Sequence, residues 1–370
     1  MYPCEILESI ATWNIEGYSE TKQIIIEQIM LNMSIGIMCI QETHHIKSDH
    51  WISDTGFAII LSGDDHGTHA GVGFVIAPFM RNAVHGFDCL NARLAAVKLR
   101  ILGGKLAIVN GYAPHSGLAI ETRAFFFDQL NNFYDSISCN GPKFVCGDMN
   151  ARLRTRYPGE NQIMGEFVFA QPGQPYNSKS NRALLTSFCH ANDLFIANTG
   201  HSHADDELVT YYELAAQPMQ PIAPNKFAQI DFIMCPLEWR NQIADVRSLR
   251  EIPIGSHHFM LLCNFGQPIK LEKQKQIKNA QPRLDYDALL DTTIANNFVS
   301  AFETTMNNMS DARNMNELLM DLNSAIRTAA NTQIPVVAPS KNKPWISNEA
   351  LDLIQQRSAQ RIIGNYDLEK

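Results

Sequence analysis

Lys143-Phe144-Val145-Cys146-Gly147-Asp148-Met149-Asn150 decides how the rest of this chain is read. Phe144 to Cys146 is a short apolar run, the pattern of a buried strand. Gly147 punctuates it, and a carboxylate and an amide follow two residues apart. Residues i and i+2 of an extended segment point the same way. Asp148 and Asn150 can therefore face one site at the C-terminal end of a strand. A carboxylate there can take a proton or hold a metal, and an amide can orient a phosphate oxygen. The alternative is an Asp/Asn turn, since both residues favour turns.

Toward the N-terminus, strands are predicted over Ser9 to Ile15, Ile35 to Ile40, Phe57 to Leu61 and Ala70 to Ala77. A helix over Ser19 to Asn32 has Ser19 as its cap and Ile25, Ile26, Ile29 and Met30 at helical spacing. Leu94 to Ile101 and Leu106 to Tyr112 flank Leu102-Gly103-Gly104-Lys105, which predicts a hairpin. A helix over Glu121 to Ile137 carries the stripe Phe125, Phe126, Leu130 and Phe133. Toward the C-terminus, Arg152 to Ser180 is loop-rich and Asn181 to Ala191 is helical. Strands follow over Leu194 to Ala197, Val209 to Leu214, Gln229 to Met234 and Phe259 to Asn264. Strands joined by both hairpins and helices mean mixed sheets. About ten strands exceed one comfortable open sheet. The expected fold is α/β (α+β), with two packed mixed β-sheets flanked by helices.

Past Phe265 the texture changes. Residues 267–284 are polar and lysine-rich and read as a linker, in which Lys270, Lys273, Lys275 and Lys278 are solvated. Asp285 to Ala330 is periodic and helical, with Leu289, Leu290, Phe298, Phe302, Leu318, Leu319 and Leu322. Pro335, Pro339 and Pro344 interrupt, and Asn348 to Ile363 is a last helix. The expected organisation is a domain over 9–266, a linker over 267–284 and a helical connector over 285–370. The chain reads as a fragment of something longer.

Composition narrows the function. A formal net charge of -8 over 370 residues argues against gripping nucleic acid by bulk positive charge. It leaves room for an enzyme whose acidic groups surround a cation. Eight cysteines are scattered without a C-x-x-C, and Cys39, Cys146, Cys235 and Cys263 sit in apolar runs. They read as free thiols of a reducing compartment. No signal peptide or membrane-spanning run is evident, so an intracellular location without a membrane partner is expected.

Polar residues recur at predicted strand ends: Asn14, Glu42, Tyr112, Asp148 with Asn150, Asp231, and His258 at the start of the last strand. Ligand sites of layered α/β proteins gather there. Oxygen ligands dominate, which favours Mg2+ or Mn2+ over zinc. Metal-assisted attack of water on a phosphodiester is the natural chemistry of such a set. Asp231 lies between Ile230 and Phe232 in an apolar strand, and a buried carboxylate needs a partner, for which His258 is the candidate. His201, His203, Asp205 and Asp206 read as an exposed polar loop rather than a metal site.

The same residues carry a resemblance. Thr12-Trp13-Asn14-Ile15, Ile40-Gln41-Glu42-Thr43, Asn110-Gly111-Tyr112-Ala113-Pro114, Gly147-Asp148-Met149-Asn150, Gln229-Ile230-Asp231-Phe232-Ile233 and Ser256-His257-His258 occur in the order of the endonuclease/exonuclease/phosphatase superfamily. Asn192 to Thr199 and Ala70 to Phe74 make the chain most similar to the apurinic-endonuclease-type domain of non-LTR (LINE-like) retrotransposons. Lys343-Pro344-Trp345-Ile346-Ser347 resembles the connector that precedes reverse transcriptase in such polyproteins. The resemblance implies a four-layer sandwich and a DNA-nicking endonuclease that acts in the nucleus and supplies a primer for reverse transcription. DNA is the implied partner, with element RNA reached through a reverse transcriptase region outside this chain; the oligomeric state is left open.

By the resemblance, Glu42 is a metal ligand and Asn14 assists at the metal and phosphate. Tyr112 contacts the phosphate or its transition state, Asp148 activates water, and Asn150 orients Asp148 and the phosphate. His258 contacts the scissile phosphate and Asp231 holds His258. Thr210 matches a threonine near the phosphate. The family pattern Ser-Asp-His reads Ser256-His257-His258 here. His257 therefore stands where a carboxylate helps the metal environment, and weaker Mg2+ binding with relative preference for Mn2+ is expected. Two alternatives accompany this reading: a phosphodiesterase or phosphatase on another phosphate ester, and a catalytically impaired nucleic-acid-binding remnant.

Overall fold

The computed structural model describes residues 6–63, 69–169, 180–252, 254–272, 284–307 and 315–335. The expected final helix, the Lys343 to Ser347 motif and Lys273, Lys275 and Lys278 lie outside these residues. The described residues fall into two units, 6–272 and 284–335.

The first unit is built on two large sheets. One has seven strands, with β1 (Ile6–Asn14), β2 (Ile35–Gln41), β3 (Asp49–Ile52), β4 (Ala58–Ser62), β5 (Val72–Ile76), β14 (Ile243–Leu249) and β15 (Met260–Lys270) in the order β14-β15-β1-β2-β5-β4-β3. The other has six, with β6 (Val84–Asn91), β7 (Leu94–Ile101), β8 (Gly104–Tyr112), β9 (Lys143–Asp148), β10 (Leu194–Ile196) and β13 (Asp231–Pro236) in the order β10-β13-β9-β8-β7-β6. β11 (Tyr211–Tyr212) and β12 (Phe227–Ala228) form a small antiparallel pair. Both large sheets mix parallel and antiparallel neighbours, for instance β1 with β2 and β15, and β9 with β8 and β13.

Alternation along each strand explains the layers. Ile108, Phe144, Cys146 and Ile233 face the seven-stranded sheet and join Ile10, Cys39 and Phe74 in one buried cluster. Their neighbours Val109, Val145 and Met234 face the other way and pack against helices α2 (Ile120–Ser136) and α3 (Arg182–Ala191). Helix α1 (Glu20–Asn32) buries Ile26 and Met30 in the cluster of the first sheet, and the Ser19 side chain caps it by accepting from the Lys22 backbone N–H. The period of two places successive strand residues in different layers, and the result is helix, sheet, sheet, helix.

Three strands of the large sheets escape the sequence: β3, β6 and β14. All three are outermost in their sheets and partly exposed, so they lack a continuous apolar run. The predicted strand over Val209 to Leu214 contracts to Tyr211–Tyr212. The stripe of α2 is Phe126, Phe127, Leu130 and Phe133; Phe125 is 62% exposed. At about 100° per residue Phe125 falls off the face that Phe126, Leu130 and Phe133 share. The sheets also outrun the expected 9–266. Ile6 pairs with Lys270, so residues 267–270 belong to β15 rather than to a linker, and Leu271 makes an isolated bridge to Ile101 of β7.

The second unit contains α5 (Thr292–Asn307) and α6 (Met315–Gln333), numbered after the four-residue helix α4 (Asp205–Leu208) of the first unit. Leu284, Ala330 and Ile334 form its small core with Leu289 and Phe298, while Leu290 is exposed. Among the described residues, no helix is long and apolar enough to cross a membrane.

Candidate active site

Strand register brings three candidate residues into one row. β8 and β9 run parallel with Tyr112 opposite Asp148, and β9 and β13 run antiparallel with Asp148 opposite Asp231. Gly147 makes this possible. Its φ is +139°, and a Cβ there would lie 1.9 Å from the Gly111 carbonyl oxygen. Only glycine allows β9 to come this close to β8.

The facing sheet supplies the complementary half. Asn14 ends β1 and Glu42 follows β2. Asn14 Nδ2 donates to Glu42 Oε1 (2.9 Å) and to Asp148 Oδ2 (3.2 Å). The Tyr112 hydroxyl donates to Glu42 Oε1 (2.7 Å). Asn150 donates its backbone N–H to Asp148 Oδ1 (2.9 Å) and its side-chain amide to the Ala113 carbonyl (2.9 Å) and Asp148 Oδ2 (3.3 Å). Glu16, Glu42 and Asn150 each follow a strand and each has a positive φ between +46° and +50°. Left-handed backbone is uncommon for such residues and concentrates here, where the strands end around a cleft.

His258 completes the row. Its Nδ1 lies 2.9 Å from Asp231 Oδ2, and its Nε2 lies 3.8 Å from Asp148 Oδ2. Ser256 shapes the turn that delivers it, donating to the Asn14 carbonyl (2.6 Å) and accepting from the His258 N–H (3.0 Å). Trp13 donates its indole N–H to the His258 carbonyl at 2.9 Å. Burial alone would lower the His258 pKa. The Asp231 carboxylate outweighs it by charge and hydrogen bond, with help from Asp148, and the pKa is raised to about 9. Burial, and then the Asp231 charge, hold the Asp148 carboxyl above the ordinary carboxylate range, against the pull of His258. The His258 ring thus sits between two buried carboxyl groups.

These groups open on a cleft of about 530 Å³. Glu42, Tyr112, Asp148, Asn150 and His258 line it, and so do Glu16, Tyr211, Arg152 and Arg154, which the sequence reading did not single out. Glu16 carried a usable signal, since it follows Asn14 at the spacing that links Asp148 to Asn150. Tyr211 bridges His258 through the backbone, with ring centroids 4.9 Å apart. Arg152 pairs with Glu213 at 3.0 Å.

Two expected residues lie elsewhere. Thr210 is fully buried behind the cleft, and its hydroxyl accepts from the Ile230 and Asp231 backbone N–H groups (3.0 Å each), so it braces Asp231 instead of meeting a phosphate. His257 does not line the cleft. Its Nδ1 rests on Glu16 (2.9 Å) and its ring packs against Tyr212. The polar loop holds a paired histidine, with His203 between Asp245 (2.6 Å) and Glu207 (3.1 Å).

Asp148, Asp231 and His258 present ligand atoms within 4.8 Å of one another. His258 already uses Nδ1 on Asp231, and its raised pKa suits an anion rather than a cation at its face. Glu42 and Glu16 bring carboxylate oxygens to the lining of the cleft, and the Asn14 amide fixes Glu42 by donating to it. Carboxylate oxygens fit a hard divalent cation.

A model of the Endonuclease/Exonuclease/phosphatase family matches residues 11–240. The chain belongs to that family. Craniofacial development protein 2 of Bos taurus is 26% identical over 269 residues, which is 72% of this chain and 42% of that protein. The protein of the same name from Tragulus javanicus is 25% identical over 270 residues, 72% of this chain and 44% of that one. The chain spans less than half the length of the curated relatives it matches. Among solved structures, an AP endonuclease from Archaeoglobus fulgidus superposes with a TM-score of 0.53 at 16% identity, covering 70% of this chain and 100% of its own. A 3′ phosphatase, NExo, from Neisseria bound to product DNA hairpin gives a TM-score of 0.51 at 16% identity with the same coverage. These likenesses establish the sandwich fold of the family.

Proposed function

We infer that this protein is a divalent-metal-dependent hydrolase of DNA phosphodiester bonds. The observation that carries this is the alignment of Tyr112, Asp148 and the Asp231–His258 pair in one row beside Glu42. The chemistry follows from the groups. Asp148 takes a proton from the attacking water, helped by a raised carboxyl pKa; as the water oxygen bonds to phosphorus the P–O3′ bond breaks, and the departing 3′-oxygen takes a proton from solvent. Asn150 and Asn14 hold the Asp148 oxygens and leave the carboxylate one orientation. His258, held by Asp231, donates to a phosphate oxygen where negative charge builds, and the Tyr112 hydroxyl, which donates to Glu42 at 2.7 Å, would turn to share that charge. Glu42 and Glu16 would hold the cation, which neutralises phosphate charge when bound, and Asn14 would assist by fixing Glu42 through its amide N–H. Arg152 and Arg154 offer positive charge to flanking phosphates on an otherwise acidic protein.

The target is duplex DNA that is nicked, with the 3′-hydroxyl priming reverse transcription in the nucleus. The sequence motifs shared with non-LTR elements support this reading, and residues 285–370 would then form the connector toward a reverse transcriptase that meets element RNA. The impaired-remnant alternative rests on His257, which gives Glu16 an imidazole neighbour in place of a carboxylate. Nicking of supercoiled plasmid separates the two. Mg2+- or Mn2+-dependent nicking is expected, and its absence under both cations would favour the remnant.

A further inference from the structure

Behind the floor of the cleft, three uncharged polar side chains meet inside the apolar space between the sheets. Thr12, Gln41 and Asn110 are fully buried. Gln41 Nε2 donates to Thr12 Oγ1 (2.9 Å) and to Asn110 Oδ1 (2.7 Å). Asn110 Nδ2 donates to the carbonyls of Ile40 (2.9 Å) and Gly73 (2.7 Å). Asn110 stands on β8 of the six-stranded sheet, and its three partners belong to β2 and β5 of the other. Among the described residues, Gln41 Oε1 has no hydrogen-bond partner. A buried, half-satisfied amide costs stability that an apolar residue of the same shape would avoid. Stability alone therefore does not explain its place.

Position in the chain does. Thr12 lies two residues before Asn14, Gln41 one before Glu42, and Asn110 two before Tyr112. The contacts of the cleft cross the same gap between sheets: Tyr112 to Glu42 at 2.7 Å, and Asn14 to Asp148 at 3.2 Å. Apolar packing between sheets is non-directional and tolerates a small slide. Hydrogen bonds of fixed length and angle do not.

We propose that Gln41 and Asn110 are positioning residues whose side-chain hydrogen bonds set the offset between the sheets at which Glu42 and Tyr112 meet. This rests on the hydrolase reading above. The test uses the full chain with Gln41→Met and Asn110→Leu, singly and together, each near in volume to the residue replaced. Circular dichroism and thermal melts establish the folded fraction. A roughly 1 Å misplacement costs up to about a hundredfold in rate. Each single variant is therefore expected to lower kcat for plasmid nicking by about ten- to a hundredfold, with KM for DNA little changed. The double variant should do no worse than Asn110→Leu alone, since loss of Asn110 already removes the Gln41 link together with its own two cross-sheet bonds. In crystal structures of the variants the Tyr112–Glu42 contact should open beyond hydrogen-bonding range.

A purely structural role would move the melting temperature and leave kcat of the folded protein alone. Gln41→Met leaves Asn110 its two backbone bonds, so it is the variant to rely on where Asn110→Leu does not fold. Folded Gln41→Met with wild-type kcat and an unchanged Tyr112–Glu42 distance would overturn the proposal. If the wild-type protein does not nick DNA, the hydrolase reading fails instead. The Tyr112–Glu42 distance in Gln41→Met then decides the positioning role by itself.

Discussion

Replacing Asp148 with Asn should stabilise the protein while it removes activity. In the fold, burial and the Asp231 charge raise the Asp148 pKa above its value in an unfolded chain. A carboxylate with a raised folded pKa works against folding once it is ionised. Between the unfolded and folded pKa values the native state binds more protons than the unfolded one, so stability falls as pH rises through that window. The folded value is raised to about 7 from an ordinary 3.8, and a tenfold difference in proton affinity is worth about 1.4 kcal/mol, so the penalty at neutral pH is roughly 2–4 kcal/mol. The amide removes this penalty. It also introduces a donor opposite the Asn14 and Asn150 amides, which now donate to Asp148 Oδ2 at 3.2 and 3.3 Å. That clash costs about 1 kcal/mol. The net gain of about 1–3 kcal/mol corresponds to a rise of several degrees in melting temperature, at about 2–4 °C per kcal/mol. Nicking should fall by roughly 10²–10⁴-fold, the usual contribution of a general base. The assay is a thermal melt of both proteins in EDTA from pH 4 to pH 8, beside plasmid nicking in Mg2+. The gap in melting temperature should be widest at pH 8 and close toward pH 4. A lower melting temperature for the variant at pH 8, or a rate within tenfold of wild type, would refute the reasoning.

Further outcomes follow from the same geometry. Excess EDTA should abolish nicking and Mn2+ should restore it at least as well as Mg2+, read on the same plasmid gel; full activity in EDTA would remove the cation from the site. His257→Asp places a carboxylate beside Glu16, where the imidazole now sits at 2.9 Å, so the metal-free melting temperature should fall and the rise on adding Mg2+ should grow. An unchanged Mg2+ response would show that position 257 does not influence the cation. Gly147→Ala drives a Cβ to 1.9 Å from the Gly111 oxygen, at a cost of at least about 3 kcal/mol, and should leave little soluble protein on expression; a soluble variant with the native circular dichroism spectrum would contradict the close approach. A chain ending at Glu272 should fold, whereas one ending at Asn264 loses the partners of Ile6 and Leu7 and the buried Ile269 and Leu271, at roughly 3–6 kcal/mol. Equal melting temperatures for the two truncated chains would show that the extension of β15 contributes nothing.

Local pattern was enough for the central strands and for one half of the cleft. Ile35 to Ile40 and Phe144 to Cys146 are buried on both faces, so they read as unbroken apolar runs. Punctuation by Gly147 placed a carboxylate and an amide at a strand end. Two packed sheets followed from strand number and from the mixture of hairpin and helical connections. Ser19 announced its helix because capping is a local interaction. The short-range pattern also placed Asp231 in an apolar strand, which demanded a partner.

Tertiary structure decided the remainder. Edge strands β3, β6 and β14 depend on a neighbour for their hydrogen bonds and carry no apolar signature of their own. Residues 267–270 are sheet because β1 offers them a partner, which no local property reveals. Thr210 and His257 sit one residue from groups that line the cleft, and in extended chain one residue is the difference between facing it and facing away. Glu16 enters the cleft through a left-handed backbone turn that depends on Gly17 and on contacts with the chain after β2. Gln41 and Asn110 look like ordinary polar residues among apolar neighbours until the two sheets close over them. Which side of a strand is buried, and against what, is a property of the packed sheets, since the pattern of a single strand specifies alternation but not the identity of the partner layer.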